Sequence, residues 1–301
     1  MEFANVYGAP PAELAALSLN ARQFSPLSPG ADSLESLEAG SLDGLVMLAP
    51  PGTIERRYAI AAALRAKKPG SPLLIMAPKD KGGSRLAQDL RDFGCEFVEE
   101  ARRHHRICQT FSPGDPDAIA AALAAGAPRF VESLGLWSQP GVFSWDRLDA
   151  GSALLMQHLP ALSGRGADFG AGLGVLAHAI LTSPKVTQLT LVEIDRRALD
   201  LSNRNADDPR ITRIWADVRE LKSLSGLDFV VMNPPFHEGG LENHGLGQAF
   251  IQRAAAALRT GGHCWLTANR HLPYEAALAP LFKRVTSVAE LGGFKIIQAQ
   301  K

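Results

Sequence analysis

The sequence predicts an α/β protein made of two domains in tandem, and three observations lead to this fold class. Short apolar runs that end at glycine or proline alternate with segments of helical spacing, a pattern typical of parallel sheets. The alternation begins at Leu45–Leu48, is interrupted at 126–144 by proline, glycine and lone aromatic residues, and resumes after a helix that starts near Leu148. A length of 301 residues fits two domains, with one large domain as the alternative.

The first half contains strands and helices in alternation. Leu45–Leu48 reads as a buried strand that ends in the turn Ala49-Pro50-Pro51-Gly52, because proline and glycine mark turns. Ile54–Ala66 has helical spacing, and Pro72–Ala77 is another short apolar strand. The residues before them offer at best short helical stretches such as Ala12–Leu19.

The second half repeats the alternation of strand and helix. Its first strand is Gly166–Phe169, which is followed by a helix at Val175–Leu181 and a second strand at Gln188–Ile194. We interpret 126–144 as the linker and lid-like start of this half, and place the domains at 1–135 and 136–301. No internal sequence repeat is visible, although two successive α/β halves are compatible with a structural duplication.

Composition excludes several classes of protein. The chain carries 31 Lys+Arg against 31 Asp+Glu and is 46% hydrophobic, which excludes disorder for most of its length. Zero net charge argues against a protein that coats nucleic acid without specificity. The stretch 55–106 holds 12 basic and 7 acidic residues, so a local basic face remains open.

Targeting and metal signals are missing from the sequence. The three cysteines, Cys95, Cys108 and Cys264, form no C-x-x-C pair, and the histidines show no ligand spacing, so we expect neither a disulfide framework nor a metal site. No secretory signal and no run of roughly 18 apolar residues is visible. We therefore expect a soluble protein in the cytoplasm, without a membrane partner.

The strongest motif is D-F-G-A-G-L-G, which starts at Asp168 and places glycines at Gly170, Gly172 and Gly174. It follows a predicted strand and opens a predicted helix. Glycines there let the chain turn sharply and let a ligand approach main-chain N–H groups. The G-x-G-x-G spacing differs from the G-x-G-x-x-G of nicotinamide dinucleotide sites. Taken alone, the motif is equally well explained as a glycine turn before a solvated acidic loop.

Two acidic residues follow at the ends of later strands. Glu193 ends the strand after the glycine loop, where a carboxylate can accept hydrogen bonds from both hydroxyls of a ribose. Asp217 closes the short strand after that. Alone it reads as a surface carboxylate, but its place in the series makes it a candidate for the exocyclic amine of an adenine.

A fourth apolar strand, Leu227–Met232, runs directly into Asn233-Pro234-Pro235-Phe236. The prolines restrict the backbone and hold Asn233 extended at the end of the strand. Its side-chain carbonyl and a neighbouring backbone carbonyl can accept hydrogen bonds from an amino group, while Phe236 can stack on a planar ring. An isolated N-P-P-F would more simply be a proline turn with Phe236 in the core; its order after the earlier motifs favours the functional interpretation.

With these four motifs in order, the sequence resembles the class I methyltransferases that use S-adenosylmethionine. Within that class, 140–301 resembles the RsmC/RlmG family of ribosomal RNA guanine-N2 methyltransferases, through N-P-P-F-H-E-G-G, A-N-R-H-L-P-Y at 268–274 and G-F-K at 293–295. The first half resembles that family's N-terminal domain more weakly, at 78–83 and 102–106. The resemblance implies two Rossmann-like methyltransferase domains, the first degenerate and supporting RNA binding, the second a seven-stranded, mostly parallel sheet.

The resemblance also implies roles for individual residues. The residues expected to bind the cofactor are Asp168, Gly170, Gly172, Gly174, Glu193 and Asp217. Those expected at the reacting amine are Asn233, Pro234, Pro235 and Phe236. Candidate RNA or base contacts are Phe143, His237, Arg102, Arg103 and Arg106. The arginine run can equally be a solvated face. A hydrophobic contact between domains is the simpler explanation of Phe143, and a contact to phosphate or solvent is simpler for His237 than a role as the base.

The predicted function is methylation of the N2 amine of a guanine in ribosomal RNA, most simply of the small subunit, by a monomer. The alternatives within enzymes are methyltransferases for adenine in RNA or DNA, or for a protein glutamine amide. A non-catalytic RNA-binding assembly protein that kept the fold is the alternative from another class.

Overall fold

A computed structural model describes residues 2–235, 237–238, 241–242 and 244–301, with backbone alone for those within 237–244. The chain divides into two compact units. The first comprises Met1–Pro128 with Gln139–Gly141, and the second Arg129–Ser138 with Val142–Lys301. No helix among the described residues is long and apolar enough to cross a membrane.

The strands of the first unit form a six-stranded sheet in the described chain, in the order β2-β1-β3-β4-β6-β5. The four strands on one side are parallel, and β6 is antiparallel to both of its neighbours. The elements are β1 (Glu2–Tyr7), β2 (Ala16–Gln23), β3 (Leu45–Leu48), α1 (Thr53–Ala66), β4 (Leu73–Pro78), a 3₁₀ turn (Gly83–Arg85), α2 (Leu86–Asp92), β5 (Phe97–Arg102), β6 (His105–Thr110) and α3 (Pro116–Gly126).

The core of this unit lies on both faces of its sheet. On β3, Leu45 and Met47 pack with α1 and α3, whereas Val46 belongs to a second cluster with Phe3 and Met76 on the opposite face. A strand buried on both faces reads as a continuous apolar run, which is why β3 and β4 were predictable from the sequence.

The second unit has a seven-stranded sheet among its described residues, in the order β11-β10-β9-β12-β15-β17-β16. Every neighbouring pair is parallel except the two that involve β17. The elements are β7 (Arg129–Val131), β8 (Leu136–Ser138), α4 (Ala150–His158), β9 (Gly164–Phe169), α5 (Val175–Leu181), β10 (Val186–Glu193), α6 (Arg196–Asn205), β11 (Ile211–Trp215), β12 (Leu227–Met232), β13 (His237–Glu238), β14 (Leu241–Glu242), α7 (His244–Ala257), β15 (Leu258–Asn269), α8 (Tyr274–Leu278), β16 (Arg284–Leu291) and β17 (Phe294–Gln300). The predicted α/β fold with a seven-stranded, mostly parallel sheet is confirmed.

The two sheets share one topology. Without its edge strand β11, the second sheet has the same strand order and the same strand directions as the first. The units also differ at one connection. Eight residues without a helix join β1 to β2, whereas the glycine loop and α5 join β9 to β10. The duplication that the sequence left open is therefore present in the fold, and the first unit lacks the segment that carries the glycine motif.

Two local expectations differ from the structure. Ala12–Leu19 was expected to include a helix, but Ala16–Gln23 pairs with β1 as a strand, because pairing at a sheet edge outweighs the helix propensity of Ala and Leu. The interruption at 126–144 contains the hairpin β7–β8, and Asn205 of α6 exchanges side-chain hydrogen bonds with the backbone of Trp137. The boundary predicted at 135/136 falls in the turn of this hairpin.

Candidate cofactor and active site

Four of the predicted site residues lie along one edge of the second sheet. Parallel strands end at the same edge, and β9, β10, β11 and β12 bring Asp168, Glu193, Asp217 and Asn233 there. The strand order reverses between β9 and β12, since β10 and β11 extend to one side and β12 to the other. In open α/β sheets, ligands bind at such a switch point.

A cavity opens at this switch point. Its lining includes Gly170 and Gly172 of the glycine loop, Asn233, the start of α4, and Phe143 with Ser144. The structure therefore brings residues of the glycine motif and of the N-P-P-F motif, which are about sixty residues apart in the chain, into the lining of one cavity.

The glycine loop has a backbone that only glycine adopts readily. Gly172 has a φ of 53°, in the left-handed region, and a Cβ atom placed on it would have no heavy atom within 4 Å. Its N–H donates to Glu193 Oε2 over 2.7 Å, which ties the loop to the end of β10. The bare backbone at Gly172 thus leaves room for a ligand to approach the main chain.

Glu193 is a buried carboxylate that organises this loop. Its Oε1 accepts the Asp195 N–H at 2.8 Å, and its Oε2 accepts the Gly172 N–H. Burial raises the pKa of Glu193, and the backbone hydrogen bonds from Asp195 and Gly172 offset part of that rise. A carboxylate in this position can accept further hydrogen bonds from hydroxyl groups.

Glu193→Ala is expected to weaken cofactor affinity by about tenfold or more, because it removes the predicted ribose acceptor and also frees the Gly172 N–H. Calorimetric titration with S-adenosylmethionine measures this. The matched control is Glu290→Ala, an exposed glutamate of β16, which should leave the affinity at the wild-type value. An unchanged affinity in Glu193→Ala would remove Glu193 from the ribose site.

Asp168 is the most unusual residue at this edge. Its side chain is fully buried, and neither carboxyl oxygen has a hydrogen-bond partner among the described residues. Burial, with a smaller contribution from the charge of Glu193, raises the pKa of Asp168 to about 8. Buried polar groups are nearly always paired, so an unpaired carboxyl beside the glycine loop suits a ligand that brings positive charge.

Asp217 is engaged differently. Its carboxylate accepts hydrogen bonds from the side chain and the backbone N–H of Arg219, at distances between 2.6 and 3.0 Å. Burial would raise the pKa of Asp217, but these hydrogen bonds outweigh burial and lower it. Its predicted contact with adenine would have to share these oxygens with Arg219.

Asn233 follows the central strand β12 and is half-buried. Pro234 beside it is buried, and Pro235 is exposed. The side-chain amide of Asn233 donates to Asp149 Oδ2 at 2.8 Å and to Ser152 Oγ at 2.9 Å. Sequence reasoning missed both partners, although Asp149 stands at a recognisable helix start. Phe236 and the side chain of His237 lie outside the described residues.

Phe143 and Ser144 form another part of the cavity wall. The side chain of Phe143 is 63% exposed, which is unusual for a large aromatic residue. Ser144 has a φ of 51°, a strained conformation for a residue with a Cβ atom. The predicted contact of Phe143 with the target base stays a prediction.

The basic run lies in the first unit, in the turn between β5 and β6. Arg103 and His104 both have positive φ angles, 47° and 61°, as in a tight two-residue hairpin turn. Arg102 donates to the Glu13 carbonyl at 2.7 Å, and Arg106 lies 3.3 Å from the Glu99 carboxylate. The cavity is lined by the second unit, so the structure does not bring these arginines into its wall.

The first unit carries a changed copy of the N-P-P-F segment. Its strand β3, the topological equivalent of β12, runs into Ala49-Pro50-Pro51-Gly52. Alanine has no amide and glycine no ring, so this copy can neither orient an amine nor stack on a base. The first unit thus lacks both halves of the site found in the second.

A comparison with known protein families matches residues 133–298 to the family described as the methyltransferase small domain. The chain belongs to this family. The matched range contains the glycine motif, both acidic strand ends and the N-P-P-F segment. The predicted class I methyltransferase is confirmed by this match.

Curated relatives cover most of the chain. A ribosomal RNA small subunit methyltransferase C from Pseudomonas paraeruginosa (strain PA7) is 33% identical over 251 residues, which are 80% of this chain and 74% of the relative. The protein of the same name from Shewanella loihica is 31% identical and covers 87% of this chain and 78% of the relative. The resemblance that the motifs suggested is thereby confirmed.

One solved structure resembles the fold over nearly its whole length. It is the T. thermophilus 16S rRNA N2 G1207 methyltransferase (RsmC) in complex with AdoMet and guanosine. The match has a TM-score of 0.77 at 23% identity and covers 99% of this chain and 87% of the other. At that identity the match establishes the fold, including a first unit and a second unit in the same chain.

Proposed function

We propose that this chain transfers a methyl group from S-adenosylmethionine to the exocyclic N2 amine of a guanine in small-subunit ribosomal RNA. The single observation that carries the proposal is that Asn233, at the end of β12, and the glycine loop line one cavity. The names of the relatives and of the T. thermophilus enzyme support the choice of substrate.

The residues of the second unit fit the proposed cofactor. The unpaired carboxyl of Asp168 suits the ammonium group of the methionine part, and Glu193 suits the ribose hydroxyls. When bound, the cofactor supplies an electrophilic methyl group on a sulfonium centre. The glycine loop lets this ligand approach the main chain closely, because the left-handed turn at Gly172 carries no side chain that would fill the space.

The chain's own task in the reaction is to position the amine. Methyl transfer is an in-line displacement: the bond between nitrogen and the methyl carbon would form as the bond between sulfur and that carbon breaks, with a thioether as the leaving group and the extra proton on nitrogen lost to solvent. Orientation supplies much of the rate enhancement of such a step. Asn233 and the Pro234 carbonyl accept hydrogen bonds from the amine, align its lone pair and stabilise the positive charge that develops on nitrogen. Phe236 and Phe143 hold the base, which must be unstacked from its helix to reach the cavity. His237 and Asp217 complete the proposed site as contacts to substrate and adenine.

Methyl transfer from radiolabelled S-adenosylmethionine to small ribosomal subunits and to protein-free 16S RNA, followed by nucleoside analysis, tests the proposal. Label in N2-methylguanosine is the expected result. Label in N6-methyladenosine, or in protein glutamine, would replace the proposed substrate by one of the alternatives. Cofactor binding without transfer to any fraction would favour the non-catalytic alternative.

We propose that the first unit supports RNA binding without chemistry of its own. Its sheet lacks the glycine loop, and its Ala49-Pro50-Pro51-Gly52 turn lacks the amide. The turn holding Arg102, Arg103 and Arg106 lies at the same edge of the sheet as the end of β4, because His105 pairs with Pro78. We further propose that the protein acts as a monomer in the cytoplasm.

Replacing Arg102 and Arg106 together by alanine is expected to weaken 16S RNA binding by about tenfold at low salt and to reduce the slope of log affinity against log salt by about 2. The substitutions leave the turn residues in place. Filter binding at several salt concentrations measures both quantities. Arg91→Ala, an exposed arginine of α2, is the matched control. An unchanged salt slope in the double variant would make the arginine run a solvated face.

A further inference from the structure

The side-chain amide of Asn233 is hydrogen-bonded to residues at the start of α4. Its nitrogen donates one hydrogen bond to Asp149 Oδ2 and another to Ser152 Oγ, at 2.8 and 2.9 Å. These partners are 84 and 81 residues away in the chain, so the fold alone brings them to the end of β12.

This pair of acceptors determines which way the amide faces. An ionised carboxylate can only accept hydrogen bonds, so the nitrogen of Asn233, and not its oxygen, must face Asp149. The nitrogen and the oxygen of an amide are bonded to the same carbon and point in different directions from it. With the nitrogen held by Asp149 and Ser152, Oδ1 is the atom of the amide left to accept a hydrogen bond from an amine.

We propose that Asp149 is a positioning residue for methyl transfer. It fixes the orientation of the Asn233 amide, with the nitrogen toward α4 and the oxygen available to the substrate, and it polarises that oxygen. The hydrogen bond to a charged acceptor draws the amide N–H toward Asp149 and increases the negative charge on Oδ1. An oxygen with more negative charge stabilises an amine nitrogen that becomes positive as its bond to the methyl group forms. The inference rests on the proposed function, because it assumes that the target is an amine.

Asp149 is itself firmly held. It is the N-cap of α4, and its Oδ2 accepts the Ser152 N–H at 2.8 Å. The helix start packs tightly on the sheet, since a Cβ atom at Gly151 would lie 2.8 Å from the Phe294 ring and 3.0 Å from Thr267 Oγ1. Asp149 and Ser152 therefore cannot follow Asn233 if its amide rotates, and they define its orientation.

The geometry also selects for the chemistry of the target. In this orientation the carbonyl oxygen of Asn233 accepts a hydrogen bond from an N–H group of the substrate and repels a carbonyl or ring-nitrogen acceptor. If the amide were reversed, its N–H groups would face the amine donor, and the pairing would be lost. Asp149 thus contributes to the preference of the site for an exocyclic amine over the acceptor groups of the same base.

Asp149→Ala is expected to lower kcat by about 10- to 100-fold, because a small misplacement of a group that orients the substrate can cost about 100-fold in rate, with cofactor affinity within twofold of wild type. Asp149→Asn keeps an oxygen that can accept from Asn233 and cap α4, so it should recover part of the loss. Asp115→Ala is the matched control, since Asp115 caps α3 in the first unit by the same kind of hydrogen bond, 2.9 Å long, to the backbone of Asp117.

A double-mutant cycle separates positioning from a purely structural role. In the background of Asn233→Ala, adding Asp149→Ala should cause no further loss of kcat beyond about twofold, because Asp149 then has no amide to orient. An equal loss of kcat in both backgrounds would overturn the proposal. So would a loss of cofactor affinity as large as the loss of kcat.

A second measurement needs no substrate. The side-chain amide of Asn233 gives a pair of ¹⁵N–¹H signals, assigned by their absence in Asn233→Ala. Their hydrogen exchange should be slow in the wild-type protein and faster in Asp149→Ala, with Asp115→Ala like wild type. Equal exchange rates in Asp149→Ala and wild type would contradict the proposal that Asp149 fixes the orientation of the Asn233 amide. If the wild-type protein methylates no guanine, the proposed function fails, and this measurement still decides the inference about Asn233.

Discussion

Replacing Asn233 by alanine is expected to lower kcat by about 100- to 1000-fold and to leave the affinity for S-adenosylmethionine within twofold of wild type. Preorganised groups aimed at a developing charge have effects of this size when removed. The hydrogen-bond partners of the amide are Asp149 and Ser152, whereas those of Glu193 are the backbone N–H groups of Gly172 and Asp195. A loss confined to kcat therefore follows from its place in the site.

Single-turnover methylation of 16S RNA, combined with calorimetric titration of the cofactor, measures the two quantities separately. Asn203→Ala is the matched control, because Asn203 is an exposed residue of α6 that hydrogen-bonds only within its own helix among the described contacts, to the Asp200 carbonyl. A variant Asn233→Ala with the wild-type rate would exclude Asn233 as the group that orients the amine.

Asp168→Asn is expected to stabilise the folded protein and to weaken cofactor binding by about 10- to 100-fold. A buried carboxyl with no hydrogen-bond partner is destabilising when ionised, and an amide of the same shape carries no charge. The cofactor's ammonium group loses its ionised partner in this variant, which accounts for the weaker binding. Stability and function thus change in opposite directions at one residue.

The pH dependence of this effect has a definite sign. The pKa of Asp168 is about 8 in the folded protein, against about 3.9 in an unfolded chain. Between these values the folded state binds one proton more than the unfolded state, so stability falls as the pH rises through this window. Asp168→Asn should remove that slope, and the gap in melting temperature between variant and wild type should widen from pH 5 to about pH 8.

Cofactor affinity should respond to pH in the opposite sense. A positively charged ligand favours the ionised form of Asp168, so binding releases a proton and the affinity rises as the pH approaches about 8. Above that value the cofactor's own α-amino group loses its proton, and the gain ends. Calorimetry in buffers of different ionisation enthalpy measures the released proton, which should be absent in Asp168→Asn.

Asp228→Asn is the matched control for both experiments. Asp228 lies near the start of β12, at the other end of the same sheet, and pairs with Arg259 at 2.7 Å. The backbone N–H of Arg165 and the side chain of Arg259 lower the pKa of Asp228. This variant should be less stable than wild type and bind the cofactor equally well. A destabilised Asp168→Asn with full cofactor affinity would contradict the role assigned to Asp168.

The sequence predicted the parts of the site that are local in the chain. Each motif residue stands at the end of its own apolar strand, and parallel strands place their ends together, so the sequence alone is enough to assign Asp168, Glu193 and Asn233 to one edge. The strands β3, β4 and β12 were predictable for a separate reason. Strands buried on both faces carry few polar residues, so each of them reads as a continuous apolar run.

Features that depend on distant partners were not predictable. The contact between Asp149 and Asn233 joins residues 84 positions apart, and nothing in either segment indicates the other. The strand at Ala16–Gln23 exists because β1 offers it a partner, against the helix propensity of its residues. The unpaired state of Asp168 is likewise a property of the surrounding fold, since the motif alone cannot show which groups surround its carboxyl.

The shared strand order of the two sheets has a consequence for biosynthesis. Strands with the same topology can exchange between neighbouring domains, and misassembly of this kind is a characteristic failure of chains with repeated units. Here the last strand of the first sheet ends at Thr110, and the first strand of the second sheet begins at Gly164. Translation proceeds from the amino terminus, so all strands of the first sheet are synthesised before the first strand of the second. The first sheet can therefore form before strands of the same topology become available to compete with its own.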